Sequence, residues 1–133
     1  MEFVFLAVLV MVPLFYLVMT LSRLQAGAYA ASTAAREAGR AFVTATSDRD
    51  AEGRAKAAAG ISFADQGFRD DEAQLTVGCD GSPCLRPEGR VWVAVRVMVP
   101  LPLIPSFARE VVPLAVPVAA THLAVVDRFR GRP

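Results

Sequence analysis

The sequence predicts an α+β fold, in which a long N-terminal transmembrane helix leads into a small antiparallel-sheet head with a second helix. Three observations carry it: an uncharged apolar run over residues 3–21, an alanine-rich continuation at helical spacing, and a valine alternation over residues 91–99. The expected division is residues 1–46 for the membrane and extended N-terminal helix, and residues 47–133 for an extracytoplasmic head.

The first element is the run FVFLAVLVMVPLFYLVMTL at residues 3–21, whose only polar groups are Thr20 and the Tyr16 hydroxyl. A helix of that length spans about 28 Å, close to the hydrocarbon core of a bilayer. The alternative is the buried helix of a soluble core. It would need an apolar shell on every side, and a chain of 133 residues has too little left to build one. The membrane run also accounts for the high hydrophobic share of 54% and the mean hydropathy of +0.41. Pro13 removes one backbone hydrogen bond inside the run, so a kink or local unwinding is expected there.

The helical pattern continues past the membrane edge, with Leu24, Ala28, Ala31, Ala35, Ala38 and Phe42 at three- and four-residue spacing. The predicted helix therefore runs from Phe3 to about Ala45, roughly half of it outside the bilayer. Within it Gly27, Ala31, Ala35 and Gly39 fall four apart, leaving a flat strip where another backbone can approach closely. Plain alanine-rich helix propensity explains the same residues.

Ser47 followed by Asp50 has capping-box spacing and would open a second helix, Asp48 to Ala59, ended by Gly60. From Ile61 the period changes to two. Residues 74–78 alternate apolar and polar, and valines at 91, 93, 95, 97 and 99 mark the clearest strand. Pro100, Pro102 and Pro105 then demand an irregular connection. A last strand is expected over 114–126, placed at a sheet edge by Pro117. The tail DRFRGRP is polar and expected to fray.

Between the first two strands lies CDGSPC. A disulfide between Cys79 and Cys84 would staple this turn in an oxidising compartment, worth about 2 kcal/mol for so short a ring. Two unpaired thiols are the alternative. A metal site lacks ligands, since the chain has one His and no second cysteine pair.

Catalytic chemistry finds little footing, and we expect no enzyme, no metal and no cofactor. His122 is the single His, on a predicted strand, and Asp70, Asp71 and Glu72 fit a solvated loop better than a cation site. Net charge is +1 and the thirteen arginines are scattered, so no nucleic-acid-reading stripe forms. Trp92 and Arg96 fit core and rim roles better than a binding face. Glu2 is different, because a carboxylate directly before nineteen apolar residues must either reach headgroup water or find a specific partner. Both readings stand.

These residues carry a likeness. Glu2-Phe3, an apolar helix interrupted by Pro13, and Ala34-Ala35-Arg36-Glu37-Ala38 resemble the TadE-like family of pseudopilins, associated with tight-adherence (Flp-type) pili. The later strand 91–99, the PLPLIP turn and THLAVVDRFR are similar to actinobacterial members. The resemblance implies a minor pilin or pseudopilin that assembles or extends a surface pilus by helix packing. Its implied partners are other pilus subunits (the major pilin or other pseudopilins), a prepilin peptidase and an inner-membrane assembly platform. Assembly would involve Glu2, Phe3, Pro13 and the ladder Gly27, Ala31, Ala35 and Gly39. The implied location is the cell membrane, single-pass, with the C-terminal domain outside and a place in the pilus. Family members also carry a basic leader ending in Gly before the cleavage site, whereas here Glu2 follows Met1. Such a leader would balance Arg23, Arg36 and Arg40 on the far side of the span. Two rival readings are an anchored accessory domain that never enters a filament, and a small binding domain secreted after cleavage at Ala28-Tyr29-Ala30.

Overall fold

In a computed structural model that describes residues 1–131 apart from 103 and 113, the chain forms an α+β arrangement. Leu103 of the proline-rich connection, and Arg132 and Pro133 of the tail, lie outside the described residues.

Helix α1 spans Glu2–Val43 and is continuous through Pro13, where the lost N–H interrupts one bond without ending the helix. At about 1.5 Å per residue its 42 residues extend roughly 63 Å. Arg130 fastens the end of the helix and the chain just past it: Nη1 donates to Val43 O at 2.7 Å and Nη2 to Ala45 O. The tail expected to fray is thus tied to the helix end through residue 130, where a cation also suits the helix dipole.

Helix α2, Asp48–Asp65, opens as expected on Ser47, whose hydroxyl accepts the Asp50 N–H at 3.2 Å. The Asp50 carboxylate does not return the bond; it accepts the Thr46 hydroxyl at 3.4 Å instead. The stop expected at Gly60 is overturned. A mid-helix glycine costs about 1 kcal/mol, and burying Phe63 one turn later offsets that. The stop is Gly67, at φ 77°, where a left-handed residue lets Gly67 N–H reach Ala64 O and Phe68 N–H reach Phe63 O at 3.0 and 2.9 Å. Phe63 and Phe68, both buried, close this helix end.

Strands β1 (Ala73–Cys79), β2 (Arg90–Pro100) and β3 (Ala115–Val125) form an antiparallel sheet in the order β1-β2-β3. β2 is central, and Pro117 sits on edge strand β3 opposite Met98, as the missing N–H requires. The register puts Val77 and His122 either side of Val93, so one face runs across all three strands and, His122 apart, is apolar. On that face Val91, Val93, Val95, Val97 and Val99 are between 0% and 1% exposed.

The cover over this face is α1, which packs on β2 and β3. α2 returns alongside α1 through the stripe Ala51, Ala55 and Ala59 and barely meets β1. Small residues on the buried sides of both helices allow this close layer. The core is built from the second half of α1, α2 and the inner face of the sheet.

The turn between β1 and β2 is closed by the Cys79–Cys84 disulfide, with sulfurs 2.04 Å apart. Asp48 reaches across from the start of α2 and its carboxylate accepts Cys84 N–H at 3.0 Å and Leu85 N–H at 3.2 Å. Asp80 holds the other side, accepting Arg90 N–H at 3.0 Å and the Arg86 guanidinium at 2.8 Å. The stapled turn is therefore fastened to both the helix pair and the sheet.

Candidate assembly surface

Helix α1 has two halves of opposite character. From Met1 to Ser22 every residue is exposed except Tyr16 and Thr20, which are partly covered. Phe3, Phe5, Leu6, Met11, Phe15 and Leu17 each leave more than 60% of their surface free. The most apolar window of α1 is 0% buried, and the helix is long and apolar enough to cross a membrane. From Gly27 onward the same helix turns residue after residue into the core. This division falls at Arg23, the first charge after Glu2, whose guanidinium lies 5.5 Å from the centroid of the Phe68 ring.

Glu2 occupies the first helical turn, preceding the whole exposed run, with Phe3 beside it at 83% exposure. A carboxylate there favours the helix dipole. Pro13 lies midway along the exposed stretch.

The ladder Gly27, Ala31, Ala35 and Gly39 is brought together on one strip, but the strip is occupied from within. All four residues are buried, Gly27 against Val99 and Gly39 against His122, Ala124 and Val93. A Cβ on Gly39 would stand 3.2 Å from His122 Cδ2. The close approach that the ladder allows another backbone is made by the chain's own sheet, because only small residues let α1 lie flat over β2 and β3. In the single chain this contact is therefore intramolecular. Glu2, Phe3 and Pro13 are exposed on the uncovered half of α1.

Ala28-Tyr29-Ala30 lies mid-helix, with Ala30 completely buried. Cleavage there would cut through the packed part of α1 and remove Gly27 from its seat on Val99.

The outer face of the sheet carries Trp92, Arg96, Met98 and Leu123. Trp92 is 43% exposed and its ring covers Gly78 on the neighbouring strand, which leaves it outside the core. Asp70, Asp71 and Glu72 form a 3₁₀ turn answered by Arg69, which lies 3.3 Å from Asp71 and 3.8 Å from Glu72. Among the described residues no three His, Cys, Asp or Glu side chains converge as metal ligands.

One further feature escaped the sequence. The connection after β2 continues toward the N-terminal half of α1, and Pro102 closes a small apolar pocket with Val12, Phe15, Tyr16 and Met19. The signal was present in the density of prolines and apolar residues over 100–114, but a sequence does not say which way a connection points.

Compared with protein-family models, curated proteins and solved structures, the chain matches none. The likeness to TadE-like pseudopilins rests on the residues that carry it.

Proposed function

We propose that this chain is a pseudopilin-like subunit, anchored by the first half of α1 and acting in the assembly of a surface pilus of the tight-adherence type. The observation that carries this reading is the split along α1: an uncovered apolar half continuous with a half locked into a small α+β head. An apolar helix of this kind is solvated by acyl chains while the subunit waits in the membrane. On extraction it needs another apolar environment, and the equivalent helices of neighbouring subunits supply one. The head stays folded throughout, since its core does not use residues 1–22.

In this reading the work is packing, with no bond made or broken. Glu2 sets register: a carboxylate drawn into an apolar bundle tolerates only the arrangement that gives it a partner, and a neighbour's amino terminus has the right charge. A prepilin peptidase, an inner-membrane platform and the major pilin are the partners this requires. The disulfide and its position in the head agree with an extracytoplasmic head.

The test is fractionation of cells producing the chain at its native level, comparing sheared surface filaments with washed membranes. The subunit reading expects the intact chain in both fractions. A chain confined to membranes is an anchored accessory protein, and a soluble chain starting at Ala31 is a secreted domain.

A further inference from the structure

We propose that the β2–β3 connection, through its described residues 101, 102, 104–112 and 114, is a second membrane contact that seats the head on the outer leaflet of the bilayer. This rests on the anchored reading of α1 given above.

The geometry follows from the way β2 lies along α1. Val93 faces Gly39 and Val99 faces Gly27. Those separations correspond to about 20 Å along the strand and about 18 Å along the helix. Strand and helix thus keep step in opposite directions, and the chain leaving β2 at Pro100 heads toward the membrane half of α1. It arrives there: Pro102 lines one small apolar pocket together with Val12, Phe15, Tyr16 and Met19. Measured along the helix axis from Arg23, Met19 is about 6 Å and Val12 about 16 Å into the apolar run. A bilayer that surrounds residues 3–21 therefore meets this connection as well.

Its composition suits that place. Phe107 and Val111 are each 85% exposed, Leu114 is 58% exposed and Val112 37%, so the described residues leave them largely uncovered. Such a cluster at the end of a head, continuous with an exposed apolar helix, fits an acyl surface.

Irregular backbone is normally excluded from lipid because its N–H groups go unpaired. Here Pro100, Pro102 and Pro105 have no N–H to satisfy. Leu101 N–H is bonded to Leu114 O at 3.0 Å, Ala108 N–H to Pro105 O at 3.0 Å, and Val112 N–H to Ala108 O at 2.8 Å. Arg109 and Glu110 carry adjacent opposite charges and are exposed, which limits the depth. The Pro102 end of the connection reaches among the acyl chains, and Arg109 and Glu110 mark its headgroup level.

The experiment uses the full chain in phosphatidylglycerol–phosphatidylethanolamine vesicles, with lipids brominated on the acyl chains as quenchers and acrylamide as the aqueous quencher. Trp92 is the sole tryptophan and reports the outer sheet face. In a Trp92→Phe background, Phe107→Trp moves the probe to the connection, Val111→Trp repeats it, and Phe5→Trp reports α1. An unreduced disulfide and a protease-resistant head qualify each variant. The expected result is blue-shifted emission at positions 107 or 111, quenched several-fold more by acyl bromine than native Trp92 and shielded from acrylamide. If Phe5→Trp is quenched by lipid while both connection probes respond to acrylamide as Trp92 does, the connection lies in water and the inference is overturned. Shielding from both quenchers overturns it too, since protein then covers the connection. Failure of Phe5→Trp to respond to lipid sinks the anchored reading itself.

Discussion

Gly27 sits so close beneath Val99 that a methyl group added to the glycine would collide with the Val99 Cγ2. This contact fixes where the head begins on α1, four residues after Arg23. Gly27→Val should force the strand end off the helix and destabilise the head by about 1–3 kcal/mol. Gly53, in α2, offers the contrast: a Cβ there meets nothing within 4 Å. Gly53→Ala should stabilise by about 0.4–1 kcal/mol through helix propensity and a less flexible unfolded chain. Thermal unfolding of the two variants in detergent separates them; equal shifts would mean that α1 does not lie on β2 at Gly27.

The valine face gives a second test. Val95 is 1% exposed at the centre of β2, so Val95→Asp places an unpaired charge in the core and should cost about 4 kcal/mol or more. Glu88 is exposed in the turn at φ 59°. Glu88→Arg should be nearly silent, and Glu88→Gly should gain about 1 kcal/mol by relieving the left-handed conformation. Limited proteolysis reads all three. Equal protease resistance of Val95→Asp and Glu88→Arg would contradict the assignment of the inner face.

Much of this fold was legible because its signals are periodic. The apolar run, the alanine spacing and the valine alternation each specify one element, and Pro117 told edge from centre. What was hidden depends on choices between equivalent local signals. Gly60 and Gly67 both end helices in principle; Phe63 and Phe68, which bury themselves around Gly67, decide between them. The Gly27–Gly39 strip announces a close approach without naming the partner, and the partner is the sheet. Arg130 and Asp48 act across 85 or more and 36 or more positions respectively, beyond any spacing rule. Glu2, Phe3 and Pro13 lie on a surface that the fold leaves uncovered, so the single chain does not display what they would contact.

Asp48 predicts a coupling between the stapled turn and the helix pair. Asp48→Ala removes the acceptor for Cys84 and Leu85 N–H, and should cost about 1 kcal/mol because the carboxylate is exposed. Cys79→Ser with Cys84→Ser should cost about 2 kcal/mol. The two losses should be less than additive, since a turn already loosened by one change has less order to lose to the other. A double-mutant cycle in denaturant measures this; strict additivity would show that Asp48 and the disulfide act independently.

The compartment of the head is tested by the same cysteines. Intact cells treated with a membrane-impermeant maleimide should show no labelling until a reductant is added, and full labelling of both Cys79 and Cys84 afterwards. Labelling without reductant would contradict the oxidised pair, and none in either condition would put the head in the cytoplasm.

The central claim is that α1 serves first as an anchor and then as a packing element whose register Glu2 sets. The most direct measurement is the ratio of subunit in sheared filaments to subunit in membranes for Glu2→Ala and Glu2→Gln beside wild type. Neither change should impair insertion, because removing a charge from the end of an apolar helix eases partitioning. The account predicts unchanged membrane levels with filament content lost or sharply reduced, nearly as severely for Gln as for Ala, since both remove the ionic attraction. Wild-type filament content in the Glu2→Ala variant would contradict it.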